Sequence, residues 1–239
     1  MANIALLTAG GIGSRTHQDI PKQFLSVDNK PILIYTLEAF QKHPCIDEIC
    51  VVILKGWSEA LFAYAKQFNI SKLKYVVEGG NTNQESIYKG LVEIKKYRNN
   101  DDVVIIHDGN RPMVSQEIIT DSLATFQKYG DAVAAIPCTE VVFVVDSPEM
   151  QVSMKSIERN NLRRTQTPHT YNLGTILAAQ RKAKIYNLKN IPACCSLMER
   201  LGHPSHFSLG SEKNIKITTL EDIEIFRALL HAQNDEWIK

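Results

Sequence analysis

The sequence predicts an α/β protein: a doubly wound, mostly parallel sheet with helices on both faces and an inserted β-hairpin. Two observations carry this. Short apolar runs fit for buried strands alternate with longer stretches of helical hydrophobic spacing. Such alternation builds parallel strands joined by crossover helices. The first run also opens into a glycine-rich loop, Ala9-Gly10-Gly11-Ile12-Gly13-Ser14-Arg15, at the kind of strand end where open α/β sheets bind ligands. The chain has 239 residues, 44% of them hydrophobic and 22% charged. That is ordinary globular usage and suffices for one domain over 1–239 with a substantial core.

The elements follow in order. Residues 3–7 form the first strand, and 30–40 a helix with Pro31 in its first turn. A strand at 48–54 and a helix at 58–68 come next, then a strand at 74–78 ended by Gly79-Gly80. Residues 86–97 make a helix with Ile87, Leu91 and Ile94 on one face, and 102–107 a fourth strand. Ser115 caps a helix running to Tyr129, and 131–136 is a fifth strand.

The alternation breaks over 137–162. There 141–145, a turn at 146–149 and 151–157 read as a β-hairpin. A bare edge as apolar as Val141-Val142-Phe143-Val144-Val145 invites aggregation, so the expected reading is an arm buried in a symmetric homodimer. Beyond it lie Thr165-Gln166-Thr167-Pro168, helices at 173–183 and 195–201, strands at 206–209 and 214–218, and a last helix opened by Thr219 or Glu221 and running toward Ala232.

A net charge of +1 gives no general attraction to nucleic acid or membrane, so any anion site is local. No stretch approaches transmembrane length, and Met1 leads straight into a strand without a signal-type region. A cytoplasmic protein is expected. The five cysteines are odd in number and show no zinc spacing, so they read as reduced structural thiols, Cys194-Cys195 included. The seven histidines show no metal-ligand spacing either, and no Ser-His-Asp or Cys-His arrangement can be argued.

The chemistry points instead to phosphate. Glycine adopts φ > 0 freely and lets backbone approach a ligand, and the exposed N–H groups bind anionic oxygens. Arg15 and Lys22 add two cations, so Ala9, Gly10, Gly11, Ile12, Gly13 and Ser14 are candidate polyphosphate contacts. The loop is not a Walker loop, since no Gly-Lys-Ser/Thr follows Gly10. It is not a dinucleotide fingerprint, because Thr16 stands where the third glycine belongs.

Gly79, Gly80 and Asn81 form a second approach loop, with Ser86 either a ligand contact or a plain helix cap. Asp108, at a strand tip beside Gly109, suits Mg²⁺, an ion often held by one or two carboxylates plus phosphates. Arg111 next to it either binds phosphate or pairs with Asp108, the structural role being preferred. Lys216 between Ile215 and Ile217 points opposite to them, toward solvent or a site. Arg159, Arg163 and Arg164 cluster past the hairpin, and across a dimer one of them can hold a second anion. The last two are expected to be solvated. These groups suggest in-line nucleotidyl transfer, run by positioning and charge neutralisation. Lys22 would serve the α-phosphate, while Arg15 and the loop amides would serve the leaving pyrophosphate.

Gly10-Gly11-x-Gly-x-Arg followed by Pro21-Lys22-Gln23-Phe24 resembles the methylerythritol-phosphate and ribitol-5-phosphate cytidylyltransferases. Gly79-Gly80 with Ser86, His107-Asp108-x-x-Arg111-Pro112, Asn214-Ile215-Lys216-Ile217-Thr218, and Arg159 with Thr167-Pro168 match in order, so the likeness covers essentially the whole chain. It implies CTP-dependent transfer of CMP to a polyol phosphate with Mg²⁺, by a homodimer joined through the β-arm. It implies that Arg15, Lys22, Asp108 and Lys216 are catalytic or triphosphate-binding, and that Ser86 lies near the cytosine. It places Arg159, with Arg111 and Thr167, on the acceptor.

The departures are informative. Methylerythritol-phosphate enzymes usually carry arginine where Asn83 stands, Ala-Ala or Ala-Val at Gly109-Asn110, and threonine at Val141. They carry Thr-Asp-Glu-Ala-Ser where Pro192-Ala193-Cys194-Cys195-Ser196 falls. Val141 and Ala193 cannot make the hydrogen bonds those residues provide, and a site that binds hydroxyls discriminates strongly when partners are missing. The expected acceptor is therefore ribitol-5-phosphate or a related surface-polymer precursor. The alternatives are methylerythritol phosphate and, in another class, a catalytically silent nucleotide-binding protein. Retention of Arg15, Lys22, Asp108 and Lys216 together argues against the silent reading.

Overall fold

The computed structural model describes residues 1–11, 20–189 and 191–232. Its strands are β1 (Asn3–Ala9), β2 (Ser26–Val27), β3 (Lys30–Pro31), β4 (Glu48–Ile53), β5 (Leu73–Glu78), β6 (Val103–Asp108), β7 (Asp131–Pro137), β8 (Val142–Val144), β9 (Lys155–Ile157), β10 (Arg163–Asn172) and β11 (Phe207–Leu209). The helices are α1 (Ile32–Lys42), α2 (Ser58–Gln67), α3 (Asn83–Lys95), α4 (Gln116–Tyr129), α5 (Leu173–Ile185), α6 (Cys194–Arg200) and α7 (Leu220–Ala232).

Seven strands form one sheet in the order β11-β7-β10-β6-β1-β4-β5. β1 pairs in parallel with β4 on one side and β6 on the other. The chain thus winds outward through β4 and β5, then returns to the far side of β1. The order reverses between β1 and β6, which makes their carboxyl ends the natural ligand crevice.

Strand alternation sorts the two faces. Ala5, Leu7 and Ala9 pack with Leu33, Leu37 and Phe40 of α1 and Leu123 and Phe126 of α4. Ile4 and Leu6 pack with Leu91 of α3, Ile176 of α5 and Leu197 of α6. A third cluster seats Phe226 of α7 against Val27, Ile32 and Ile217. No helix among the described residues is long and apolar enough to cross a membrane.

Several expectations need correction. The largest omission is β10, ten residues long and antiparallel to both β6 and β7 in the interior of the sheet. Its polar sequence and Pro168 hide it, because proline cannot donate to a ladder. The ladder to β7 shifts register between Thr165 and His169, where Pro168 lies. Pro31 stands before α1 as its N-cap, and Lys30-Pro31 pairs with Ser26-Val27 instead. Helix α3 starts at Asn83, with the Thr82 hydroxyl accepting from the Glu85 N–H at 3.1 Å, so Ser86 is not a helix cap. The expected strand at 214–218 is irregular backbone. The hairpin forms, but only over β8 and β9. Within a single chain its apolar residues are uncovered, Val141 at 67% and Phe143 at 57% exposure.

Candidate active site

Thr8 and Asp108 stand opposite one another where β1 and β6 end. A cleft of about 630 Å³ opens there. It gathers Ala9, Gly10, Gly11 and Lys22 from the first loop, Gly79, Gly80, Asn81 and Ser86 from the second, and Asp108 and Lys216 side by side. Ile12, Gly13, Ser14 and Arg15 lie outside the described residues. Gly109 is not part of the cleft wall. It packs under the end of β1, with its N–H on the Thr8 carbonyl at 2.9 Å and its carbonyl accepting from the Thr36 hydroxyl at 2.9 Å.

The glycines act by closeness rather than by left-handed backbone, for neither Gly10 nor Gly79 has positive φ. A Cβ on Gly79 would stand 3.1 Å from the Ser86 Oγ and 3.4 Å from the Gly10 Cα. The two loops therefore touch, with the Ser86 hydroxyl between them. Side chains of α3 hold the second loop. Ser86 Oγ accepts from the Gly80 N–H at 3.0 Å, Glu85 accepts from the Asn81 N–H at 2.9 Å, and Lys89 Nζ donates to the Gly79 carbonyl at 2.9 Å. Ser86 thus keeps its own proton for a ligand.

Gln23 does the same for the first loop. Its buried amide donates to the Ala9 carbonyl at 2.7 Å and the Gly11 carbonyl at 3.3 Å, tying the turn that carries Lys22 to the strand end. The sequence marks Gln23 only as part of a motif. The signal for its role is an amide that must find partners when buried.

Asp108 is the electrostatic centre. One carboxylate oxygen accepts from Arg111 Nε at 2.9 Å and the other from Lys216 Nζ at 3.1 Å. Burial pushes this carboxyl up, but the Lys216 and Arg111 cations outweigh it and hold the group down at about 2. Arg111 also donates to the Asn214 carbonyl at 2.7 Å, so the structural pairing preferred from the sequence is formed.

Beneath Asp108 lies a chain of bonds whose proton positions follow by elimination. The Arg111 carbonyl can only accept, so His107 Nε2 donates to it, at 3.2 Å. Burial lowers the His107 pKa to about 4, leaving the ring neutral, so Nδ1 is an acceptor and takes the Thr167 hydroxyl proton at 3.0 Å. Thr167 Oγ1 in turn accepts from the Asp108 N–H at 3.0 Å. Thr167 can therefore only accept from a further ligand. Neither the role of His107 nor this commitment of Thr167 was readable from spacing.

A second cavity of about 140 Å³ adjoins the cleft. Arg111, Thr167, His169 and Cys194 line it, and it shares Thr8, Asn83, Asp108, Pro192 and Lys216 with the larger one. Asp108 and Lys216 thus stand at the junction of two chambers. Burial raises the Cys194 thiol to about 12, which makes it a wall rather than a nucleophile. Arg159 is not brought to this junction. It is exposed at the root of the arm and donates to the Thr139 carbonyl at 3.0 Å. Arg164 pairs with Glu212 at 2.6 Å, and Arg163 bonds to nearby carbonyls. Among the described residues no group of three or more His, Cys, Asp or Glu side chains is placed to hold a metal ion.

A switch-point cleft walled by closely packed glycine loops and a lysine, opening past one carboxylate into a smaller polar chamber, is the layout of a nucleotidyltransferase. The chain belongs to the family described as 2-C-methyl-D-erythritol 4-phosphate cytidylyltransferase (IspD), whose model matches residues 3–232. It is 39% identical to a ribitol-5-phosphate cytidylyltransferase of Lacticaseibacillus paracasei, over 96% of this chain and 98% of that protein. It is 35% identical to a 2-C-methyl-D-erythritol 4-phosphate cytidylyltransferase of Clostridium botulinum, over 95% of this chain and 97% of that one. Among solved structures it resembles the Francisella tularensis 2-C-methyl-D-erythritol 4-phosphate cytidylyltransferase, with a TM-score of 0.80, 31% identity, and coverage of 95% of this chain and 99% of the other.

Proposed function

We propose that this protein transfers CMP from CTP to ribitol-5-phosphate, or a closely related sugar-alcohol phosphate for a surface polymer, and releases pyrophosphate. One observation carries the choice of acceptor. Ala193 and Cys194, two positions at which the chain departs from the methylerythritol-phosphate pattern, line the smaller chamber alone, and two more, Asn83 and Pro192, line it where it meets the larger. The larger chamber keeps its glycines, Lys22 and Ser86. Most of these departures therefore border the smaller chamber, with Asn110 on the larger.

In this reading the Ser86 hydroxyl donates to the cytosine, and the first loop with Lys22 and Arg15 holds the triphosphate. An oxygen of the acceptor's phosphate attacks the α-phosphorus in line. The new P–O bond forms as the bond to the β-phosphate oxygen breaks, and pyrophosphate departs with its electron pair. Lys22 and Lys216 neutralise charge at the reacting centre. A single buried carboxylate fits Mg²⁺ carried mainly by phosphates and water rather than by a protein cage. Asp108 would be its protein contact, and the ion would offset charge on the leaving group.

The test is pyrophosphate release from CTP with each acceptor. Ribitol-5-phosphate should exceed methylerythritol phosphate by about 100-fold or more in kcat/KM. The reverse order would install the methylerythritol-phosphate reading, which the Clostridium relative keeps as the second choice. CTP binding without turnover of any polyol phosphate would install the silent one.

The arm belongs to the same proposal. Phe143 and Met154 are exposed on a two-stranded hairpin, and isolated hairpins are marginal in water. A second copy covering the arm would make the homodimer and bring Arg159 toward the neighbour's acceptor phosphate. Phe143→Asp should shift sedimentation from dimer to monomer, and a wild-type protein that sediments as a monomer would refute the arm's role.

A further inference from the structure

We propose that Asn110 is a positioning residue for Lys216. This rests on the reading of Lys216 as the cation at the reacting centre. Lys216 lies on irregular backbone, so no ladder or helix sets its place. What holds the segment is a clasp from the residue two beyond Asp108. The Ile217 N–H donates to the Asn110 carbonyl at 2.9 Å, and the Asn110 side-chain amide donates back to the Ile217 carbonyl. Both polar groups of Ile217 are thus spent on one residue, and that residue is anchored at the tip of β6.

The environment makes the clasp stiff. Asn110 is 7% exposed and Ile217 is fully buried, packed with Val27, Ile32 and Phe226. Upstream, the Asn214 side chain donates to the Thr167 carbonyl at 2.9 Å, and the Asn214 backbone carbonyl accepts from Arg111. Lys216 is therefore bracketed one residue downstream and two residues upstream. Its own side chain is far less constrained, being 42% exposed with the Asp108 contact at 3.1 Å as its one ion pair among the described residues. That single contact leaves the long stem of the lysine free to turn, so the backbone bracket decides where the ammonium stands. Removing the Asn110 side chain takes no partner from Asp108 or Arg111.

Asn110→Ala and the nearly isosteric Asn110→Leu test this. Displacing a catalytic group by about 1 Å costs up to about 100-fold. Both variants should lower kcat by about tenfold or more, with KM for CTP changed by less than about twofold, while circular dichroism and gel filtration match the parent. Loss of thermal stability with kcat unchanged in the folded Leu variant would overturn the proposal. Hydrogen exchange supplies a readout that needs no turnover. The amide of Ile217 should exchange faster in both variants, by about tenfold or more, and unchanged protection would also overturn it. If the parent protein turned over no acceptor, the exchange result would still separate a wrong clasp from a wrong reading of the reaction.

Discussion

Lys216→Ala should lower kcat about 100- to 1,000-fold, the range found when one preorganised charge-stabilising donor is removed from a reacting centre. The expectation comes from placement. Lys216 is the cation that lines both chambers, and it meets Asp108 at their junction. Nucleotidyl transfer builds negative charge on the α-phosphate oxygens in the transition state, so a cation there binds the transition state better than the ground state. KM for CTP should therefore move much less than kcat. Stability should change little, because Asp108 keeps Arg111 at 2.9 Å. Lys216→Arg should recover only part of the rate, since the planar guanidinium presents its charge differently. Steady-state pyrophosphate release reads all of this. A kcat within about threefold of the parent in Lys216→Ala would remove Lys216 from the mechanism.

Stability should fall by roughly 3 kcal/mol for each of two buried histidines as pH drops from about 6.5 to about 4. Burial holds both His107 and His169 at about 4 in the fold. Unfolded imidazoles titrate near about 6.5. Between those values the unfolded chain takes up protons that the folded chain refuses, so unfolding becomes easier as pH falls. Above about 6.5 both states are neutral and the contribution is flat. His43, also lowered by burial and by Lys72, adds with the same sign.

Asp108 acts in a lower window. Its carboxyl is held at about 2 against an ordinary 3.8, so its contribution is full above 3.8 and disappears as pH falls through about 2. The histidine window comes first, and the loss there is comparable to the whole stability of many domains. Urea unfolding at pH 7.5, 6.5, 5.5 and 4.5 measures it. His169→Leu should roughly halve the slope, because that side chain is buried with no hydrogen-bond partner at Nε2. A flat profile between pH 6.5 and 4.5 would contradict the buried, neutral assignment.

Local chemistry explains what was legible in advance. The runs that became β1, β4 and β6 are apolar because both faces of a central strand are covered. Residues 163–172 gave no such signal. They bury polar side chains, some of them paired, as when the Ser122 and Thr170 hydroxyls meet at 2.7 Å, and a pattern of apolar residues cannot report that. The irregular stretch around Lys216 looked like a strand for the opposite reason: Ile215 and Ile217 alternate with polar neighbours, yet the hydrogen bonds of Ile217 go to the carbonyl and side chain of Asn110 rather than to a ladder.

Sequence by itself determined the α/β class, the outward-and-back winding, and residue types that gather at the cleft, Gly10, Gly79, Lys22, Asp108 and Lys216 among them. Each of these is written in local pattern, and local pattern is what periodicity and glycine spacing encode. Tertiary structure alone decided that Asp108 is shared between Arg111 and Lys216, that His107 directs the Thr167 proton, and that Asn110 clasps Ile217. Those facts join residues up to 108 positions apart. A hydrogen bond is set by distance and direction in space, and neither exists until the chain has folded.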